Sequence, residues 1–109
     1  MAFDEQLAER IWQALEGESG IREKHMFGGI CYMLNGNMAL GIVKNDLMVR
    51  VGPDAYEHML DEPHARIMDF NGKPLKGYVF VDAEGTASAE DLRLWVGRGL
   101  AFARSLPAK

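Results

Sequence analysis

The sequence predicts an α+β protein in two layers, with an antiparallel sheet packed by an N-terminal and a C-terminal helix. Apolar residues recur at helical spacing near both ends of the chain, which predicts the two helices. Between them, Asn35-Gly36 separates two stretches of alternating side chains, the pattern of a β-hairpin with a two-residue turn. A chain of 109 residues with 48% apolar composition suits one hydrophobic core, so residues 1–109 are predicted to form a single domain.

The first helix is predicted from Asp4 to Glu16. Apolar residues, among them Leu7 and Ile11, recur through it at helical spacing, and the Asp4 carboxylate can accept hydrogen bonds from the amides of the first turn. Residues 17–20 include two glycines and are expected to end the helix.

A three-stranded meander is predicted over residues 30–51. The type I′ turn favoured by Asn35-Gly36 sets the register of the first two strands. In that register the facing pairs are Leu34 with Asn37, Met33 with Met38, Tyr32 with Ala39, and Cys31 with Leu40. A second tight turn is expected at Asn45-Asp46, which would place Ile42 opposite Val49.

Alternation along the meander then divides the side chains between two faces of the sheet. The face expected to be sealed by the helices carries Cys31, Met33, Met38, Leu40, Ile42, Leu47, Val49 and Val51. The face expected to stay partly open carries Ile30, Tyr32, Leu34, Asn37, Ala39, Gly41, Val43, Met48 and Arg50. The second set mixes apolar, small and polar groups, which does not suit a sealed interior.

The open face is the first candidate binding site, for a protein partner or for a second copy of the chain. Its candidate residues are Tyr32, Ala39, Gly41, Met48 and Arg50. Tyr32 and Arg50 are the expected anchors, because tyrosine and arginine are enriched where binding energy concentrates.

Beyond the meander, Pro53 can open a short helix. Strands are predicted over residues 66–70 and 77–81, joined by a loop over residues 71–74, so the sheet gains one or two strands. The stretch Ser88 to Asp91 has the form of a capping box and begins the last helix, whose apolar stripe is expected to lie across the sealed face.

The composition disfavours several function classes. Twelve basic and 16 acidic side chains give a net charge of -4, so direct nucleic-acid binding is not expected. Cys31 is the single cysteine, which excludes an intramolecular disulfide and a zinc site built on paired cysteines. The N-terminus lacks the pattern of a signal peptide and no apolar run approaches ~18 residues, so a cytoplasmic protein without membrane contact is expected.

No catalytic residue, metal ion or cofactor is expected. The three histidines, His25, His58 and His64, match no familiar metal-ligand spacing. Cys31 falls in the middle of a predicted strand, where a thiol behaves as a small hydrophobic group. The few hydroxyl side chains lie outside any nucleophile motif.

The loop around Met26-Phe27-Gly28-Gly29 is the alternative candidate site, with Arg22 and His25 as its polar contacts. This alternative describes a small-molecule-binding domain or an uncharacterised enzyme. No phosphate-loop pattern follows the two glycines, so a backbone bend into the first strand is the favoured interpretation of the loop.

Several markers occur in an order that resembles the N-terminal domain of the TfoX-type regulators of natural competence. They are Met26-Phe27-Gly28-Gly29, Asn35-Gly36, Asp46-Leu47, Val49-Arg50-Val51, Met68-Asp69-Phe70, the stretch 73–79 and the helix over 92–95. The resemblance covers nearly the whole chain, and the Met-Phe-Gly-Gly tetrapeptide is its most specific part.

The resemblance implies a two-layer α+β fold similar to the secretion-chaperone-like architecture, and it supplies no catalytic residues. Full-length members carry a second, helical domain, so this chain is expected to be a stand-alone N-terminal domain. The expected function is therefore a non-enzymatic binding or regulatory module, related to transcription or competence through a protein partner.

Overall fold

The computed structural model describes residues 4–26, 29–70 and 73–108. In these residues the elements follow the order α1 Glu5–Ala14, β1 Ile21–Met26, β2 Gly29–Leu34, β3 Asn37–Val43, β4 Asp46–Arg50, α2 Tyr56–Leu60, β5 Ala65–Phe70, β6 Lys73–Val81, a 3-10 turn Ala83–Thr86, and α3 Ala89–Arg104. The strands form one antiparallel sheet of six in the order β1-β2-β3-β4-β6-β5. The α+β class with an N-terminal and a C-terminal helix is confirmed.

Both long helices begin where their capping residues predict. The Asp4 carboxylate accepts hydrogen bonds from the amides of Gln6 and Leu7, at 3.0 and 3.1 Å. The Ser88 hydroxyl accepts one from the amide of Asp91 at 3.0 Å. These hydrogen bonds satisfy amides that the first helical turn leaves without a partner. They confirm the helix starts predicted from the two capping residues.

All three helices pack on one side of the sheet, where the main core lies. The last helix crosses β3 and β4, and α2 packs against β5 and β6. The strand residues of this core are Ile30, Tyr32, Leu34, Ala39, Leu40, Ile42, Leu47, Val49, Val51, Val79 and Val81. Within the described residues, no helix is both long and apolar enough to cross a membrane.

The first hairpin has the predicted turn but not the predicted register. Asn35 and Gly36 have φ values of 52° and 86°, as a type I′ turn requires, and Met33 pairs with Met38 as predicted. A β-bulge follows, in which Tyr32 pairs with Leu40 and not with Ala39. The extra residue in β3 reverses the alternation of side chains across the bulge. Leu40 and Ile42 keep their predicted face, so residues 30–34 of β2, together with Met38 before the bulge, lie on the face opposite to the predicted one.

Because of the bulge, the predicted faces of β2 and of the first residues of β3 are wrong. Tyr32 and Ala39 lie beneath the helices, with 0% and 1% exposure, so their placement on an open face was wrong. Cys31, Met33 and Met38, expected beneath the helices, lie on the other face.

The second hairpin also differs from its prediction, without changing faces. Ile42 pairs with Leu47 and not with Val49, because the turn lies one residue earlier, at Lys44 and Asn45. The pairing therefore shifts by two residues, and a two-residue shift keeps each side chain on its predicted face.

The sheet is larger than the sequence predicted. The first strand, Ile21–Met26, was not predicted, and β6 begins at Lys73 within the predicted loop. The short helix after Pro53 is confirmed, although it begins only at Tyr56. These additions make the meander the middle of a six-stranded sheet and leave β1 and β5 as its edges.

Candidate functional site

The side of the sheet opposite the helices carries a second apolar cluster, and we call this side the helix-free face. Its cluster contains Cys31, Met33, Met38, Met48, Met68, Leu75, Tyr78 and Phe80, and no residue of the three described helices. The strand pairing adds Arg22, Lys24, Gly41, Arg50 and Arg66 to this face. A sheet with one apolar face lacking a helix is the feature of this fold that most resembles a binding surface.

Methionines form the centre of the helix-free face. Met33 and Met38 are half-buried, whereas Met48 and Met68 are buried beneath their neighbours, with 2% and 1% exposure. Thioether side chains are unbranched and adapt to varied partners. Of these four methionines, only Met33 and Met38 therefore offer adaptable side chains at the surface of the face.

The cysteine on this face is poorly suited to nucleophilic chemistry. Cys31 is 2% exposed, and its burial raises the pKa of the thiol above the ordinary value. A thiol of raised pKa stays protonated near neutral pH and is a poor nucleophile. This agrees with the predicted structural role of Cys31, although the residue faces away from the helices.

Arg50 lies at one end of the methionine centre and is held by three contacts. Its Nη1 donates a hydrogen bond to the Met38 carbonyl oxygen at 3.4 Å. Its guanidinium carbon lies 5.6 Å from the ring centre of Tyr78 and 5.2 Å from that of Phe102 on α3. Arg50 is the last residue of β4, and its half-buried side chain reaches Phe102 of α3 as well as Tyr78 on the helix-free face. No described carboxylate forms an ion pair with it.

Arg66, at the β5 edge of the face, is neutralised. It forms ion pairs with Asp46 and with Asp82, the latter at 2.6 Å, and its guanidinium carbon lies 5.2 Å from the ring centre of Phe80. The hydrogen bonds that Arg66 donates to the Asp82 and Asp46 carboxylates raise the pKa of its guanidinium above the ordinary value. An incoming carboxylate therefore gains less from Arg66 than from an arginine that lacks an acidic neighbour.

Two cations lie at the β1 edge. Arg22 and Lys24 are exposed and pair across the strands with Met33 and Cys31, which places them on the helix-free face. Arg22, Lys24 and Met33 line a cleft of about 350 Å³ with Glu23 and Gly36. In the described part of the chain, neither cation forms an ion pair.

The acidic residue in this cleft is engaged elsewhere. Glu23 pairs across the strands with Tyr32, on the helix side of the sheet. Its Oε1 accepts a hydrogen bond from Trp12 Nε1 at 3.0 Å. The β1 edge of the helix-free face therefore keeps a local positive charge on a chain whose net charge is -4.

Of the five candidate binding residues predicted on the open face, three lie on the helix-free face: Gly41, Met48 and Arg50. Tyr32 and Ala39 are on the helix side. Cys31, Met33 and Met38 were assigned to the wrong side, and β1, which carries Arg22 and Lys24, was not recognised as a strand. The residues of β5 and β6 were missed because the pairing of β6 with β4 was not predicted. The stretch Ile21–Met26 has four consecutive polar residues, so it carries no alternation from which β1 could have been predicted.

Among the described residues predicted for the alternative site, Arg22 and His25 lie on different sides of the sheet. Arg22 lies on the helix-free face, whereas His25 pairs with Ile30 on the helix side. Met26 pairs with Gly29 where β1 meets β2, and Phe27 and Gly28 lie outside the described residues.

Gly29 has a packing role that explains its identity. A Cβ atom at this position would lie 1.9 Å from the Ile42 carbonyl oxygen, so only glycine fits. The crowding reflects a close approach of the β2 and β3 backbones, and a ligand at this loop stays a prediction.

A second polar cavity, of about 110 Å³, lies between α3 and the segment that precedes β5. Arg98 lines it, stacks on Trp95 at 4.4 Å and forms an ion pair with Glu62 at 3.0 Å. Its buried Nη1 has no hydrogen-bond partner among the described residues. Asp91 also lines the cavity, so two carboxylates oppose the entry of an anion, and the cavity is a weaker candidate than the helix-free face.

A family model described as the TfoX N-terminal domain matches residues 13–103. No curated protein sequence matches the chain. The matched range runs from the first helix to the last turn of α3 and includes every strand described above. The chain therefore belongs to the TfoX N-terminal domain family.

Proposed function

We propose that this protein is a regulatory domain that binds a protein partner through the helix-free face and performs no chemistry of its own. Membership of the TfoX N-terminal domain family suggests a competence-related regulatory domain. The proposal adds the mode of action, which is non-covalent recognition, and assigns it to one side of the sheet.

The observation that carries this proposal is the apolar cluster on a sheet face that no described helix covers. Soluble proteins usually cover an apolar sheet face with another layer, as the three helices do on the opposite side. The half-buried Met33, Met38 and Tyr78 leave apolar surface that a partner can cover. Arg50 supplies a residue type that is enriched at the energetic centres of interfaces.

The chemistry of the described residues favours binding over catalysis. Cys31 is buried and its pKa is raised, which disfavours a thiolate nucleophile. Described histidines, cysteines and carboxylates form no group of three that could hold a metal ion. The features that remain on the helix-free face, thioethers, aromatic rings and arginines, are typical of recognition surfaces.

The test compares two charge insertions that differ only in the face they alter. Met33→Lys places an ammonium on the helix-free face, and Leu94→Lys places one at an exposed position of α3, where the leucine is 51% exposed. Both variants should keep the circular dichroism of the original chain. Partner capture from a native extract, measured by quantitative mass spectrometry, should be lost only in Met33→Lys.

The opposite pattern, with capture lost in Leu94→Lys and kept in Met33→Lys, would assign recognition to the helical side. A chain that captures no partner would contradict the proposal as a whole.

A further inference from the structure

We infer that the helix-free face recognises an acidic amphipathic helix of a partner protein, which lies across the strands with carboxylates near Arg22, Lys24 and Arg50. This inference rests on the proposed function, because it names the chemistry of the partner for the same face. It is carried by the order of the side chains in two rows that cross the sheet.

The first row reads, from β1 to β6, Arg22, Met33, Met38, Arg50 and Tyr78. Arg22 pairs with Met33, Met33 with Met38, and Arg50 with Tyr78. The hydrogen bond from Arg50 Nη1 to the Met38 carbonyl joins the two halves of the row. Two half-buried methionines are therefore flanked by cations, neither of which forms an ion pair with a described carboxylate.

The second row runs beside the first and has the same order of charge. It reads Lys24, Cys31, Gly41, Met48, Phe80 and Arg66, and each neighbouring pair is in register across the strands. The Lys24 end carries no described ion pair, whereas the Arg66 end is neutralised by Asp46 and Asp82. The two rows together give an apolar centre with unneutralised positive charge at the β1 edge and at Arg50.

The dimensions of the face suit a helix of about four turns. Neighbouring strands lie about 4.8 Å apart, so a row across six strands spans roughly 24 Å. A helix rises 1.5 Å per residue, so about 16 residues cover that span. On the opposite face, α3 has the same length of 16 residues and packs mainly against β3 and β4. A partner helix would place apolar side chains on the methionines and acidic side chains over the flanking cations.

The charge pattern favours an acidic partner over other occupants. A second copy of the chain would bring Arg22, Lys24 and Arg50 of both copies to one interface, where like charges oppose association. Nucleic acid is disfavoured because the chain has a net charge of -4 and the basic groups of this face are few. An amphipathic helix with acidic side chains can place carboxylates on the cations and apolar side chains on the methionines at the same time.

The experiment selects ligands from a phage library of random 16-residue peptides on the intact chain. The selected peptides should have a net negative charge and apolar residues at helical spacing. A fluorescein-labelled selected peptide, measured by fluorescence anisotropy, should bind at least tenfold more weakly to Arg22→Glu and to Lys24→Glu.

Arg93→Glu is the matched control, because it makes the same charge change at an exposed position of α3 and should keep the original affinity. Binding should also weaken as ionic strength rises, because exposed charge pairs are screened by salt.

The result separates this inference from the function on which it rests. Selected peptides that are neutral or basic, with binding lost in Met33→Lys but not in Arg22→Glu, would overturn the acidic partner and leave the helix-free face as the binding surface. Selection of peptides whose binding responds to neither substitution would overturn both. Preferential binding of single-stranded RNA or anionic vesicles through Arg22 would assign the cations to a different class of partner.

Discussion

Tyr32 and Met33 are neighbours in β2 that face opposite sides of the sheet, so truncating each one tests the register that the bulge creates. Tyr32 is 0% exposed, and its ring packs edge-on against Trp12, with 5.5 Å between ring centres. Its hydroxyl donates a hydrogen bond to the Ala8 carbonyl at 3.4 Å. Met33 is half-buried and has no described helix above it.

Removal of a buried aromatic side chain typically costs about 3–5 kcal/mol, so we expect a loss of this size for Tyr32→Ala. Because Met33 already contacts solvent, Met33→Ala should cost about 1 kcal/mol, below the ~2–5 kcal/mol of a fully buried methionine. For a chain of this length, 1 kcal/mol corresponds to about 4 °C in the melting temperature. The expected losses are therefore roughly 12–20 °C for Tyr32→Ala and roughly 4 °C for Met33→Ala.

Urea unfolding followed by circular dichroism gives the free energy of unfolding of each variant directly. Both variants should keep the slope of the original chain, so that the midpoints report the difference in stability. A larger loss for Met33→Ala than for Tyr32→Ala would refute the register, because it would place Met33 beneath the helices and Tyr32 on the helix-free face.

Three further predictions concern the same packing. In α3, Gly99→Ala should destabilise the fold by more than 1 kcal/mol, because the added Cβ would lie 2.6 Å from the Ala39 carbonyl oxygen. Gly97→Ala should stabilise the fold by about 0.5–1 kcal/mol, because nothing lies within 4 Å of the added Cβ. Thermal unfolding of the two variants measures both effects. Burial, with a smaller contribution from Glu23, raises the pKa of Tyr32 above its ordinary value of 10.0, so the unfolded chain loses this proton first and the free energy of unfolding falls as pH rises past 10. This loss should reach about 1 kcal/mol at pH 11 and should be absent in Tyr32→Phe. If the difference in stability between the two proteins stayed the same from pH 8 to 11, the hydroxyl would not be buried. The Cys31 thiol, buried and of raised pKa, should react with a thiol reagent only as fast as the chain opens, and fast labelling of the folded protein at pH 7 would show that the helix-free face exposes it.

The regulatory proposal and the packing predictions depend on one structural fact, the assignment of β2 side chains to the two faces. With Tyr32 beneath the helices, the surface left for a partner consists of methionines and cations rather than the expected tyrosine anchor. The anchor role therefore rests on Arg50, which is held against Tyr78 and Phe102. A preformed cation of this kind loses little side-chain entropy when a partner binds.

Features that depend on a few neighbouring residues could be predicted from the sequence alone. The two helix starts follow from Asp4 and Ser88, and the hairpin turn follows from Asn35-Gly36, because capping and turn chemistry act within a few residues along the chain. The family resemblance also rests on short local motifs and is confirmed by the match over residues 13–103.

The sides of the sheet on which the β2 residues lie were decided only by the tertiary structure. The bulge at Ala39 depends on how β2, β3 and α3 fit together, since Gly99 of the helix lies against the Ala39 carbonyl. Alternation assigned Ile42, Leu47 and Val49 to the correct side, and it failed for β2 because the bulge interrupts the alternation between β2 and the rest of β3. The two rows of side chains on the helix-free face form only because β1, β4 and β6 join the same sheet. The pairing of strands that are distant in sequence cannot be predicted from the residues of any one strand.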